Sequence, residues 1–175
     1  MTDTLNKLFE DTVKDMYNAE KQFLKAMPKL AKAAESPDLK KAIEDHIKQT
    51  EGHVARLEQV AEQLEIKPTG KVCKAAKGLV EEAEEHLEEV APGPVLDAAI
   101  ILCAQKNEHY EISSYGTLIA WSEDLGLTQV TALLQSTLAE EKETDEALSE
   151  LAVKSVNEDA NEAEKAPQKS KVSLK

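Results

Sequence analysis

The sequence predicts an all-α fold in which two antiparallel helical hairpins are joined by a long crossover carrying a short extra helix. Three observations predict it. Ala, Glu, Leu and Lys, all strong helix formers, dominate the composition, while aromatic residues make up only 3%. Apolar side chains recur at spacings of three and four through four long segments. Proline and glycine breakers separate those segments, twice by a short turn and once by the stretch 65–94.

The first helix is read over residues 3–34, with Leu5, Leu8, Phe9, Met16, Phe23, Met27 and Leu30 on one face and a local bend expected at Pro28. Ser36-Pro37-Asp38 then offers an N-cap, a proline at the first helical position and an early acid, so a second helix starts there. Its stripe is Leu39, Ile43, Ile47, Val54, Leu57, Val60 and Leu64, and Pro68-Thr69-Gly70 stops it. Within the crossover, the amphipathic run GLVEEAEEHLEEV reads as the short extra helix. The third long helix follows Ala91-Pro92-Gly93-Pro94, carries Ile100, Ile101, Ala104, Leu118 and Trp121, and ends near Asp124 with Gly126 closing it. The fourth opens with Thr128 as a cap and carries Val130, Leu134, Leu138, Leu148 and Ala152. Two hairpins joined by one long crossover is the connectivity of ferritin-like four-helix bundles. Residues 1–156 are read as that single domain, and 157–175, acidic first and then lysine-rich, as a disordered charged tail.

Composition also excludes. With 21 basic against 34 acidic residues the net charge is −13, which repels phosphate backbones and anionic lipid, so neither nucleic acid nor a membrane is an expected partner. The longest apolar run, Ala98–Ala104, is far short of a bilayer span, and MTDTLNKLFED has acids where a signal peptide would have a basic region. Cys73 and Cys103 form no CxxC pair and read as reduced thiols, which fits a soluble cytoplasmic protein.

The chemical signal lies in acids that interrupt the apolar stripes. Glu20 falls between Met16 and Phe23; Glu108, Glu111 and Tyr115 fall between Ala104 and Leu118; Glu141 and Asp145 fall between Leu138 and Leu148. A buried carboxylate has to be neutralised, hydrogen-bonded or bound to a cation. Counting outward from each turn puts the interruptions at one level, and Glu20–Thr50 and Glu111–Glu141 share a separation of 30 residues. Dinuclear carboxylate sites take one Glu from each of two helices and a Glu-x-x-His pair from each of the other two. Glu20 and Glu111 fit the single roles. The second helix offers Thr50-x-x-His53 and the fourth Glu141-x-x-Thr144, and no Glu-x-x-His occurs, leaving Glu108, Asp145, His46 and Gln49 as replacement donors. His109 and His86 read as solvated, and Tyr17 and Tyr115 as core filling, the other reading being that these tyrosines close off the site or gate electron transfer.

The segment Asn107–Leu118, with its string EHYEI-x-x-YGTL, resembles the bacterial YciE/YciF family of ferritin-like proteins. Tyr17-x-x-Glu20-Lys21-Gln22, His46-x-x-x-Thr50-x-Gly52 and Leu138-x-Glu140-Glu141-Lys142-x-Thr144-Asp145 extend the likeness over residues 3–156. The resemblance implies a ferritin-like subunit, a homodimer, and a stress-associated ferroxidase. Family members usually carry Glu at the position of Gln49 and often Gln at that of His53, so this chain has roughly exchanged the two. The reading is a di-metal protein holding two iron or manganese ions through Glu20, His46, His53, Glu108, Glu111, Glu141 and Asp145, and oxidising ferrous iron with O2 or peroxide. The alternative is a non-enzymatic stress or assembly protein with a degenerate site.

Overall fold

The computed structural model describes residues 2–165, all of whose regular elements are helical. They are α1 (Leu5–Ala33), α2 (Pro37–Gln63), α3 (Lys74–Glu89), α4 (Pro94–Asp124), α5 (Thr128–Leu151), a π-helical stretch (Ala152–Val156) and α6 (Asn157–Lys165). Thr4 caps α1, its hydroxyl accepting from the Lys7 amide, and Ser36 caps α2 in the same way toward Leu39, with Pro37 at the first helical position. Gly126 ends α4 in the left-handed region (φ 71°). Its N–H reaches the Glu123 carbonyl, and the Leu127 N–H reaches that of Ser122, so the last carbonyls of α4 are satisfied. Thr128 does not cap α5: Leu127 occupies that position without a side-chain bond, and its carbonyl accepts from the Thr131 amide and hydroxyl instead.

The long helices pack as α1 on α2, α4 on α5, α2 on α5 and α1 on α4, while α3 lies against α1 and α4. Cross-helix contacts run in opposite directions along both hairpins, α1–α2 and α4–α5. Tyr17 bonds Glu58 as Glu20 approaches His53, and Gln105 bonds Asp145 as Ser122 bonds Thr131. Asp97, buried in the first turn of α4, accepts from the backbone N–H groups of Glu35 (2.9 Å) and Ser36 (2.8 Å), tying the α1–α2 turn to α4. Cys73 starts α3 and is fixed to α1 by Asn18 and Gln22. Both cysteines are free and buried.

Two apolar clusters fill the interior. One gathers Phe23, Met27, Leu30, Ile43, Ile100 and Leu148; the other gathers Phe9, Val13, Met16, Leu57, Leu118 and Leu134. Between the two clusters the long helices bury the polar residues Glu20, His46, Thr50, His53, Glu108, Glu111, Thr137 and Glu141, so a polar layer is sandwiched between apolar plugs. Among the described residues, no helix is long and apolar enough to cross a membrane.

The chain expected to be tail from residue 157 is helical through Lys165, and α6 packs on α4. The stripe Ala152, Val156, Ala160, at intervals of four, carries α5 onward past the point where larger apolar residues run out, and Val156 is buried. Residues 166–175, the rest of the expected tail, lie outside the described residues.

Candidate metal centre

Each long helix contributes to the polar layer. Glu20 comes from α1, His46 and His53 from α2, Glu108 and Glu111 from α4, and Glu141 from α5, and all six are buried. Donor atoms of His46, Glu108, Glu111 and Glu141 lie within 4.8 Å of one another, and so do those of Glu20, His53 and Glu141. Glu141 belongs to both groups. The two donor sets are therefore adjacent and share one carboxylate.

The two imidazoles present different nitrogens to the centre. His46 turns Nε2 inward, 3.2 Å from Glu108 Oε1 and 3.9 Å from Glu141 Oε2, while Nδ1 faces Gln49 Oε1 (3.3 Å) and the Thr144 hydroxyl (3.2 Å). Because the Gln49 oxygen accepts only, it favours a proton on Nδ1 and a bare Nε2. His53 turns Nδ1 inward, 2.9 Å from Glu141 Oε1 and 3.6 Å from Glu20 Oε2, while Nε2 donates to Glu140 Oε2 at 2.9 Å. On the far side of Glu20, the Tyr115 hydroxyl donates to Oε1.

Burial pushes Glu108 and Glu111 well above the ordinary carboxylate range, and the neighbouring charge of Glu141 pushes them further. Burial also works against a charge on His53, but the Glu141 and Glu20 carboxylates outweigh it and push that imidazole up to about 10. Burial likewise opposes ionisation of Glu141, and His53 overcomes it, holding Glu141 below the usual range. His46 is shifted down, chiefly by burial. These shifts favour protons on Glu108, Glu111 and His53.

Even so, several buried atoms have no hydrogen-bond partner: Glu20 Oε2, Glu108 Oε2, both Glu141 oxygens and His53 Nδ1. The close approach of His53 Nδ1 to Glu141 lacks the alignment of a hydrogen bond. Partnerless buried carboxylate oxygens are costly, and these all point into the shared layer. Four carboxylates also balance the charge of two divalent ions when both imidazoles are neutral. The donor set, carboxylate-rich with one imidazole per group, could hold a metal ion. A cavity of about 20 Å³ adjoins it, bordered by His46, Glu108 and Glu111 on one side and by Phe23, Met27 and Ile43 on the other, with room for one small molecule.

Asp145 is not brought into the centre. It lies one turn beyond Glu141, where the seam between α4 and α5 opens to solvent, and it pairs with Gln105 (3.0 Å) and the exposed His109 (3.3 Å). Gln49 stays outside as the partner of His46.

Residues 4–161 match the family described as a domain of unknown function, DUF892. The chain belongs to the DUF892 family. It is similar to protein YciF of Escherichia coli strain K12, 43% identical over 158 residues, which are 90% of this chain and 95% of YciF. The crystal structure of YciF, described as a stress protein, superposes with a TM-score of 0.85 at 43% identity, covering 89% of this chain and 99% of that one. YcfI of Rhodopseudomonas palustris, for which a structural role has been suggested, gives 0.82 at 42% identity, covering 84% and 94%. A protein from Xanthomonas campestris pv. campestris, 21% identical, gives 0.76 over 93% of this chain and 99% of its own and shares the fold alone. These findings bear out the resemblance carried by Asn107–Leu118.

Two DUF892 residues of the centre escaped the sequence reading as partners. Tyr115, read as core filling, bonds Glu20; Glu140 bonds His53. The signal for Tyr115 was its place on the Glu108–Glu111 stripe, whereas Glu140 sits off the apolar face and is half-buried.

Proposed function

We propose that this chain is a ferritin-like four-helix bundle that holds two ions of iron or manganese and oxidises ferrous iron with O2 or peroxide during stress. The observation that carries the reading is the pair of donor groups sharing Glu141, with carboxylate oxygens from three helices left without partners in the same layer. Glu20 and His53 would hold one ion, His46, Glu108 and Glu111 the other, and Glu141 both. Bound iron would supply one-electron redox chemistry between its ferrous and ferric states. The side chains supply the rest. The four carboxylates compensate the charge of the ions, the flanking apolar plugs restrict water, and the small cavity beside His46, Glu108 and Glu111 gives a small oxidant a place to sit. The description of E. coli YciF as a stress protein supports the physiological setting. The free cysteines support a reducing compartment such as the cytoplasm. A homodimer belongs to the same proposal, and light scattering on the purified chain tests it.

Anaerobic titration with ferrous iron tests the centre. We expect about two ions per chain, as the two donor groups require, with oxidation in air faster than in buffer. Glu111→Ala and Glu141→Ala each abolish both effects. Iron content at background in the wild-type chain would sink the proposal.

A second reading, a non-enzymatic stress or assembly protein, is favoured by the absence of any Glu-x-x-His pair and by the shifts that favour protons on Glu108, Glu111 and His53. It predicts no metal after growth in iron- and manganese-rich medium and no oxidation on titration.

A further inference from the structure

His53 would meet an ion through Nδ1, and an imidazole can do so only when its remaining proton is on Nε2. The structure places one group to hold it there. Glu140, the residue just before the shared Glu141 on α5, turns away from the centre and accepts from His53 Nε2 at 2.9 Å. Arg56, one turn beyond His53 on α2, grips the same carboxylate with two nitrogens, at 2.8 Å to Oε2 and 2.7 Å to Oε1, and also reaches the Thr137 hydroxyl at 3.2 Å. This two-pronged bond fixes the plane of the Glu140 carboxylate as well as its position. Oε2 therefore receives both the guanidinium and the imidazole, and it has no freedom to swing toward the centre. Glu140 and Arg56 are about a quarter exposed (28% and 24%), whereas the His53 side chain is fully buried, so the pair joins the buried ligand to the protein surface.

We propose that Glu140, clamped by Arg56, is a positioning residue that keeps the His53 proton on Nε2 and so leaves Nδ1 free for the ion shared with Glu20 and Glu141. The inference rests on the metal-centre reading. Without Glu140, the neutral imidazole would have only the carboxylates of Glu20 and Glu141 as acceptors, both on the Nδ1 side. The proton would then occupy the nitrogen that an ion needs. Gln49 performs the matching service for His46 with the nitrogens reversed, accepting at Nδ1 and leaving Nε2 bare. The two imidazoles are thus oriented by unlike partners, one an ionised carboxylate backed by arginine and the other a neutral amide.

The test measures Zn(II) affinity by chelator competition for the wild-type chain, Glu140→Ala and Glu140→Gln, together with the nitrogen NMR signature of the His53 tautomer in the Zn(II)-loaded protein. Loss of a hydrogen-bonded orienting partner costs about 10- to 100-fold in metal affinity. We expect that loss in Glu140→Ala, with the tautomer signature no longer uniform. Glu140→Gln, with its oxygen at the Oε2 position, keeps an acceptor for His53 and for one Arg56 nitrogen while its NH2 faces the other, so it should recover part of the affinity lost in Glu140→Ala, with the proton back on Nε2. A merely structural role for Glu140 would shift stability and leave the tautomer alone. Wild-type binding that is equal in all three proteins, or a Gln variant as weak as the Ala variant, overturns this inference and leaves the metal centre standing. No Zn(II) binding by the wild-type chain overturns the metal centre and this inference with it.

Discussion

Burial, and then the Glu141 charge, push the Glu108 carboxyl well above the ordinary glutamate range and so toward its neutral form, and the adjacent His46 is shifted down. A protonated Glu108 can donate to His46 Nε2 across their 3.2 Å contact, and a glutamine amide has the same shape and the same donor. Glu108→Gln should therefore leave the chelated protein as stable as wild type or raise its stability near pH 8 by on the order of 1 kcal/mol, since no charge has to be desolvated. The same variant should lose the rise in melting temperature that Mn(II) gives the wild type. Calorimetry with and without Mn(II) checks both halves, and a chelated variant that melts well below wild type would contradict the neutral state of Glu108. The sequence made Glu20, Glu108, Glu111 and Glu141 legible because each interrupts an apolar stripe, where a charge has no ordinary reason to be. It failed at Asp145 because periodicity reports which face a residue shares, not where along the helix the neighbouring helix ends its cover. It failed at Glu140 because a half-buried acid beside a buried one looks like any solvated residue.

Helix boundaries were mostly legible, because capping chemistry at Ser36, Pro94 and Gly126 is local and survives folding unchanged. What holds one hairpin at its height against the other was not. That work falls to Asp97, whose two oxygens accept the Glu35 and Ser36 amides from a residue more than sixty positions away. Its place in the first turn of α4 reads from sequence as a favourable acid at a helix N-terminus and nothing more. Removing it takes a charged acceptor from two part-buried backbone donors, so Asp97→Ala should cost about 1–3 kcal/mol in urea unfolding. Asp97→Asn should give little relief, because its NH2 group would face an N–H. An effect below about 0.5 kcal/mol, the range of ordinary surface substitutions, would mean that the turn finds other partners. The α6 segment shows the same limit from the other side: Ala160, half-buried, carries too little hydrophobicity to announce that α6 packs on α4.

For the molecule as a whole, the polar layer makes stability depend on pH and on metal in opposite senses. Glu108 and Glu111 bind protons more tightly when folded, and below about pH 4.5, the ordinary glutamate value, they are protonated folded or unfolded and have no effect. As pH rises past that value the unfolded chain ionises first, and folding becomes less favourable. His53, pushed up to about 10 against its ordinary 6.5, adds to the same trend, because the stability it lends is complete below 6.5 and is lost as pH climbs to about 10. Glu141, held low, acts the other way, but its contribution is lost only on the acid side of its ordinary value. Metal-free protein should therefore melt at a lower temperature near pH 8.5 than near pH 6. Bound ions need the carboxylates ionised and the inward-facing nitrogens bare, so protons compete with them less as pH rises. With Mn(II) at about one hundred times its Kd, the native state gains about 2.7 kcal/mol, which in a domain of this size raises the melting temperature by roughly 5–10 °C. At a fixed Mn(II) concentration that gain should be larger near pH 8.5 than near pH 6. Scanning calorimetry at both pH values, in chelator and in Mn(II), separates the two slopes. If the metal-free melting temperature rises toward pH 8.5, or the Mn(II) gain does not change with pH, the buried acids are not poised between protons and cations.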